Sequence, residues 1–258
     1  HVAALLRMTR TAPQNDKNNS SERQESKVTN TRLIHKMNNY SGIREDIVRY
    51  VFDEIVSRYA GFDPAHRENH VLTVIEQAME LLDGRTAWLK GQSAEAAESW
   101  SQRIDREMLF VSAACHDLGL VNGRENHHTD SGIIIRNDER LKCWFSEEQI
   151  EIIAQAAEDH RASGKSAPRS IYGKIVAEAD RVIDGETIIL RTIQFGATHY
   201  PDLDREGHIE RAVAHLKEKY GRGGYLKLWI PWSDNAIRLN ALQNTIADDP
   251  AIYRETVR

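Results

Sequence analysis

DREMLFVSAACHDLG, residues 105–119, is the stretch on which the fold turns. Leu109 and Val111 are followed by the small residues Ser112, Ala113, Ala114 and Cys115, which predicts a helix over about 105–118 that lets its neighbours approach closely. Gly119 ends it directly after His116-Asp117. Successive helical residues point about 100° apart, so this pair can share one ion only at a helix end. The sequence puts it there.

Working outward, Ile43, Ile47, Val48, Val51, Ile55 and Tyr59 have amphipathic helical spacing, and Gly61 can end that run. A second helix is expected from about 66 to 82, burying Val71, Val74, Ile75, Ala78 and Leu81, with Asp83-Gly84 closing it. Downstream, Ser146-Glu147-Glu148-Gln149 has the form of a capping box ahead of Ile150, Ile153, Ala154 and Ala157, so a helix should run to Asp159-His160. Pro168 breaks the chain. Ile171, Ile175, Val176, Ala179, Val182 and Ile183 then mark a helix carrying Asp180 near its middle. Asp204 can cap a helix ending at Gly221, and a last one is expected over about 234–246. Strand-like alternation is almost absent, which predicts an all-α fold.

Composition narrows the class. A chain of 258 residues, 40% hydrophobic and 28% charged, suits a soluble globular protein with a sizeable core. No apolar run approaches the roughly 20 residues that span a bilayer, and the opening HVAALLRMTRT is too short and too weakly apolar for a secretory signal, so no membrane partner and a cytoplasmic location are expected. Cys115 and Cys143 lack CxxC spacing and read as free thiols. A net charge of -5 argues against a nucleic acid polymer as partner. Residues 9–31 hold only Ala12, Pro13 and Val28 among polar and charged neighbours. Such a segment buries too little apolar surface to offset its ordering entropy. The expected organisation is a disordered tail or linker over 1–40, a helical core over 41–200 and a helical extension over 201–258 packed on that core.

The chemistry concentrates in HRENH (66–70), CHDLGLVNGRENHH (115–128) and EDHRASGKSAPRSIYGKIVAEADR (158–181). Imidazole with carboxylate and no thiolate favours a catalytic metal centre, with Zn, Mn, Fe, Ni or Co as candidate ions, or Mg where carboxylate dominates. His70, His116, Asp117 and Asp180 are the primary candidates. In order and context they resemble the HD superfamily of metal-dependent phosphohydrolases, whose signature is a histidine, a His-Asp pair and a distant aspartate on successive helices. The phrases AACHDLGL and AEADRVID resemble its two core helices, and the likeness covers roughly residues 43–190. EDHRASGKSAPRSIYGKIVAEADR and GGYLKLWIP resemble an uncharacterised bacterial branch. Where relatives read HDIGK this chain reads HDLGL, so roles assigned to that lysine do not carry over.

The resemblance implies an HD-domain bundle with one or two divalent ions, Asp117 bridging them, and two further histidines: His160, and His127 or His128. NHHTDSG favours His127. Asp117, His127 and His160 are the implied catalytic groups, and Arg124, Arg161, Lys165 and Arg169 are the basic residues suited to an anionic substrate. The implied activity is hydrolysis of a phosphate ester or anhydride of a small molecule, possibly a nucleotide, by metal-activated water. Two alternatives stand beside it: an HD-type di-iron oxygenase and a non-catalytic nucleotide-binding or signalling module. An oligomer is compatible with all three. His66 is read as a group that orients a ligand or as a surface residue.

Overall fold

The computed structural model describes residues 40–247 apart from 64, 164 and 165. The tail expected over 1–40 lies outside the described residues except for Tyr40, and Lys165 lies outside them as well. The chain divides between Arg49 and Tyr50 into two units. In the first, the Ile43 amide donates to the Tyr40 carbonyl at 3.2 Å to close a turn. Helix α1, Glu45–Tyr50, then begins with Arg49 paired to Glu45.

From Tyr50 onward the described residues form helices and turns, with no β-strand among them. The second unit opens with a π-helical turn, Val51–Ile55, and a 3-10 turn, Val56–Gly61. Helix α2 spans Glu68–Lys90, short α3 spans Ala94–Glu98, and α4 spans Arg106–Cys115. Helix α5, His127–Arg136, α6, Glu147–Glu158, and α7, Ile171–Ala179, complete the set that carries the ligand candidates. Every residue of α4 from Met108 to Cys115 is buried, and α4 packs against α2, α6 and α7. Its small residues permit that crowding, and Cys115 is a buried free thiol. No helix among the described residues is long and apolar enough to cross a membrane.

Local chemistry explains most boundaries. Asp105 caps α4 by accepting from the amides of Glu107 and Met108. Ser146 and Gln149 form the expected capping box on α6. Helix α2 runs eight residues past its expected close at Leu82, to Lys90. Glycine inside a helix costs only about 1 kcal/mol, and tertiary contacts outweigh it here. Asp83 pairs with Arg106, Arg85 is buried and donates to the carbonyls of Trp100 and Gln102, and Trp232 lies beside Gly84. Asp180 is likewise not mid-helical. Helix α7 ends at Ala179, and Asp180 takes the C-cap position.

Helix α8, Gly185–His199, occupies a stretch where no helix is expected from sequence, capped by Asp184 accepting from Thr187. Helices α9, Arg205–Tyr220, and α10, Asn235–Ala247, follow near their expected bounds. Ile183, Ile189, Leu216, Leu226, Leu242 and Ile246 form the apolar centre of this C-terminal group.

Candidate metal centre

Five helix ends converge on one point. His70 comes from the first turn of α2, His116 and Asp117 follow the last residue of α4, and His127 opens α5. His160 lies just beyond α6, and Asp180 caps α7. A helix end lets the chain turn, so adjacent side chains such as His116 and Asp117 aim inward together.

Asp117 lies at the middle. Its Oδ2 is 3.3 Å from His116 Nε2 and 3.6 Å from His70 Nε2. Its Oδ1 is 3.3 Å from His160 Nε2 and 3.5 Å from His127 Nε2. Each carboxylate oxygen therefore faces its own pair of imidazoles. Within the pairs, Nε2 of His116 lies 3.4 Å from that of His70, and Nε2 of His127 lies 3.3 Å from that of His160. Asp180 Oδ1 joins the first pair, 3.3 Å from His70 and 3.7 Å from His116.

Three of the four imidazoles are held by backbone carbonyls. Nδ1 of His116, His127 and His160 lies 2.8, 2.7 and 2.5 Å from the carbonyl oxygens of Ala113, Arg124 and Ala157. Donation from Nδ1–H to those carbonyls leaves the Nε2 lone pairs facing inward, as metal-ligating histidines require. Two lone-pair nitrogens this close need a cation or a proton between them. His70, His116 and Asp117 form one group able to hold a metal ion, and Asp117, His127 and His160 form a second. The donor set of imidazole nitrogens and carboxylate oxygens suits a divalent ion.

Electrostatics agree with the geometry. Burial pulls the His70 imidazole down, but hydrogen bonding to Asp117 and Asp180 and their charge prevail, raising its pKa to about 10. Burial pushes Asp117 up, while the surrounding imidazoles, His116 foremost, hold it well below the usual carboxylate range. Asp180 behaves alike: burial raises it, and His70, His116 and His160 bring it down. Burial also lowers His160, yet Asp117 carries it above its ordinary value, whereas His127 is lowered, chiefly by burial. His70 and His127 thus shift in opposite directions, while His160 follows His70.

Supports absent from the sequence reading surround these groups. The fully buried Tyr59 donates to the Ala114 carbonyl at 2.8 Å and accepts from the Asp117 amide at 3.3 Å, fixing the turn that aims the pair. Ser131 accepts from Gly119 N at 2.8 Å and donates to the His127 carbonyl at 2.9 Å. This contact explains the glycine of HDLG. A Cβ there would lie 2.0 Å from the His127 carbonyl oxygen and 2.5 Å from Ser131 N. His66 turns away to Asp63, with Nδ1 2.8 Å from Oδ2, while its ring meets that of His70 edge-on at 5.5 Å.

The basic residues are arranged less closely. Arg124 is 70% exposed, with Nη1 3.6 Å from Asp63. Arg161 donates to the Glu125 carbonyl at 2.7 Å, and Arg169 pairs with Asp159 and Glu158. His128 is not in the cluster; its buried Nδ1 has no hydrogen-bond partner. A cavity of about 490 Å³ lined by Ile183, Asp184, Glu186, Arg238 and Leu242 contains none of the six converging side chains.

Residues 67–183 match the HD domain family. The chain carries an HD domain. That span includes all six converging residues, and HD domains belong to a superfamily of metal-dependent phosphohydrolases. Comparisons with curated proteins and with solved structures returned no match.

Proposed function

We propose that this protein is a metal-dependent phosphohydrolase acting on a phosphate ester or anhydride of a small anionic molecule, a nucleotide among the candidates. The observation that carries the reading is the placement of Asp117, each of whose carboxylate oxygens faces two imidazole Nε2 atoms. His70, His116, Asp117 and Asp180 would hold one divalent ion, and Asp117, His127 and His160 a second. Such ions supply Lewis acidity, lowering the pKa of water and neutralising phosphoryl oxygens.

The remaining work falls to the chain's own groups. Asp117 would steer the attacking water by accepting its hydrogen bond. His127 and His160 would orient the phosphoryl oxygens, or protonate the leaving group in a version with one ion. Arg124 and Arg161 would hold the anion at the rim, where guanidinium groups match phosphate geometry. Lys165 would join them, and Arg169 would share its guanidinium between substrate and its present carboxylate partners. The segment from about 41 to 200 would serve as the metal-binding core, with 201–258 as an extension.

The test is a panel of nucleotides, phosphomonoesters and cyclic nucleotides offered to protein loaded in turn with Mn, Ni, Co, Zn, Fe or Mg. Release of phosphate or nucleoside is expected, with Asp117→Ala slowing it by at least about a hundredfold, as loss of a group acting in the transition state does. Undiminished turnover in that variant would sink the assignment. Two bound irons with oxygen consumption and intact phosphate esters would favour the oxygenase alternative, and nucleotide binding without turnover the signalling module.

A further inference from the structure

The segment LWIPWSDN, residues 228–235, belongs to no helix before Asn235, so its amides need acceptors elsewhere. Two of them find one in a single side chain. Glu178 Oε2 accepts from the amides of Trp229 at 2.7 Å and Ile230 at 3.4 Å. Its Oε1 accepts from Asn235 Nδ2 at 3.0 Å, and the same amide nitrogen donates to the Glu178 carbonyl at 3.1 Å. Glu178 is fully buried. A carboxylate in that position is costly unless donors satisfy it, and here three N–H groups do so.

The same segment grips a second helix. Trp232 Nε1 donates to the Leu81 carbonyl of α2 at 2.7 Å. Its ring packs on Trp88 and meets Trp100 edge-on, with centroids 5.1 and 5.2 Å apart. Glu178 stands two residues before Asp180 on α7, and Leu81 lies on the helix that opens with His70. The strap therefore joins the two helices whose ends bring His70 Nε2 within 3.3 Å of Asp180 Oδ1.

The geometry points to the strap 228–235 as a positioning clamp of the metal centre, in which Glu178 and Trp232 fix the separation of α7 and α2. Ligand distances in a metal site are held to within about 0.2 Å, so small changes in that separation alter ion affinity. The C-terminal segment thereby becomes part of the centre's construction. Glu178 and Trp232 are positioning residues, and the inference rests on His70, His116, Asp117 and Asp180 being ligands.

Calorimetric titration of the whole 258-residue chain with Mn²⁺, after removal of metal by a chelator, tests this alongside thermal melts. Glu178→Gln puts an amide nitrogen where one donor must be accepted, and Trp232→Phe removes one N–H while keeping an aromatic ring. Both variants are expected to bind Mn²⁺ about tenfold more weakly, the lower end of what loss of an outer support costs. Leu242→Ala, in the C-terminal apolar cluster, should lower the melting temperature without changing affinity. Trp232→Phe decides the question if Glu178→Gln does not fold. Native affinity in folded Trp232→Phe, or an equal loss in Leu242→Ala, overturns the clamp while leaving the ligand reading intact. If the parent chain takes up no Mn²⁺, or His116→Ala binds as the parent does, the ligand reading itself falls and the clamp falls with it.

Discussion

The His70 side of the centre and the His127 side share Asp117 but hold their other donors differently. On the first, His116 is fully buried and Asp180 adds a second carboxylate, while Tyr59 locks the turn between α4 and Asp117. On the second, His160 is buried, but His127 is anchored through the carbonyl of Arg124 in an exposed loop that turns at Gly123 with φ +101°. The first side offers four donors, two of them carboxylates; the second offers three and draws His127 from a loop. An ion held by His70, His116, Asp117 and Asp180 should therefore bind more tightly, and one held by Asp117, His127 and His160 should exchange.

Single substitutions can break that comparison. His70→Ala is expected to weaken the tighter ion by at least about a hundredfold, taking the upper end of what even outer-support changes cost as a floor for a ligand. His127→Ala should lose one equivalent of ion and leave the tighter one in place. Titration calorimetry with Mn²⁺, checked by metal analysis after gel filtration, reads both. If His127→Ala costs as much affinity at the tighter position as His70→Ala does, the two sides act as one and the asymmetry is wrong.

Protons sharpen the difference. The pKa of His70 is raised to about 10, so in the ion-free protein its stabilising contribution is fully present below its ordinary value near 6.5 and fades as pH rises through about 10. At neutral pH an incoming ion must displace the His70 proton, so affinity should rise with pH. On the second side His127 is shifted the other way, chiefly by burial, while Asp117 raises His160 as it raises His70. Calorimetry at pH 7 in buffers of different ionisation enthalpy should show release of about one proton from His70, and less release in His70→Ala. Binding with no proton release would contradict the protonation state assigned to this side.

Much of the tighter side is legible in sequence, because a local cause puts His116-Asp117 at a helix end: small residues before the pair and Gly119 after it. The phrase NHHTDSG favours His127 over His128, and it is the His127 ring that reaches the cluster. What sequence conceals is tertiary. Tyr59 and Asp117 are separated by 58 residues, and Glu178 and Trp229 by 51; no periodicity couples such positions. Helix α8 escapes notice because Thr187, Ile188, Ile189, Thr192 and Ile193 are β-branched, a composition that lowers helix propensity. Burial of Ile189 with Leu216 and Leu242 decides in its favour. Likewise the Asp83-Gly84 stop signal yields to the contacts of Arg85 and Trp232.

The smallest expected effect isolates the second side from its far end. Ser146 caps α6 by accepting from the Gln149 amide, and Gln149 Oε1 accepts from the Ser146 amide in return. Helix α6 leads directly to His160, and none of the other five converging residues lies on it. Ser146→Ala should cost about 1 kcal/mol of folding stability, the usual worth of such a cap. Because Ile150, Ile153, Ala154 and Ala157 keep the helix packed, His160 should remain in place and the tighter ion should bind as before. Denaturant melts and Mn²⁺ titration read the two quantities separately. A stability loss well beyond that figure, or any loss at the tighter ion, would mean that α6 supports both halves and that Asp117 couples them more firmly than their different anchoring implies.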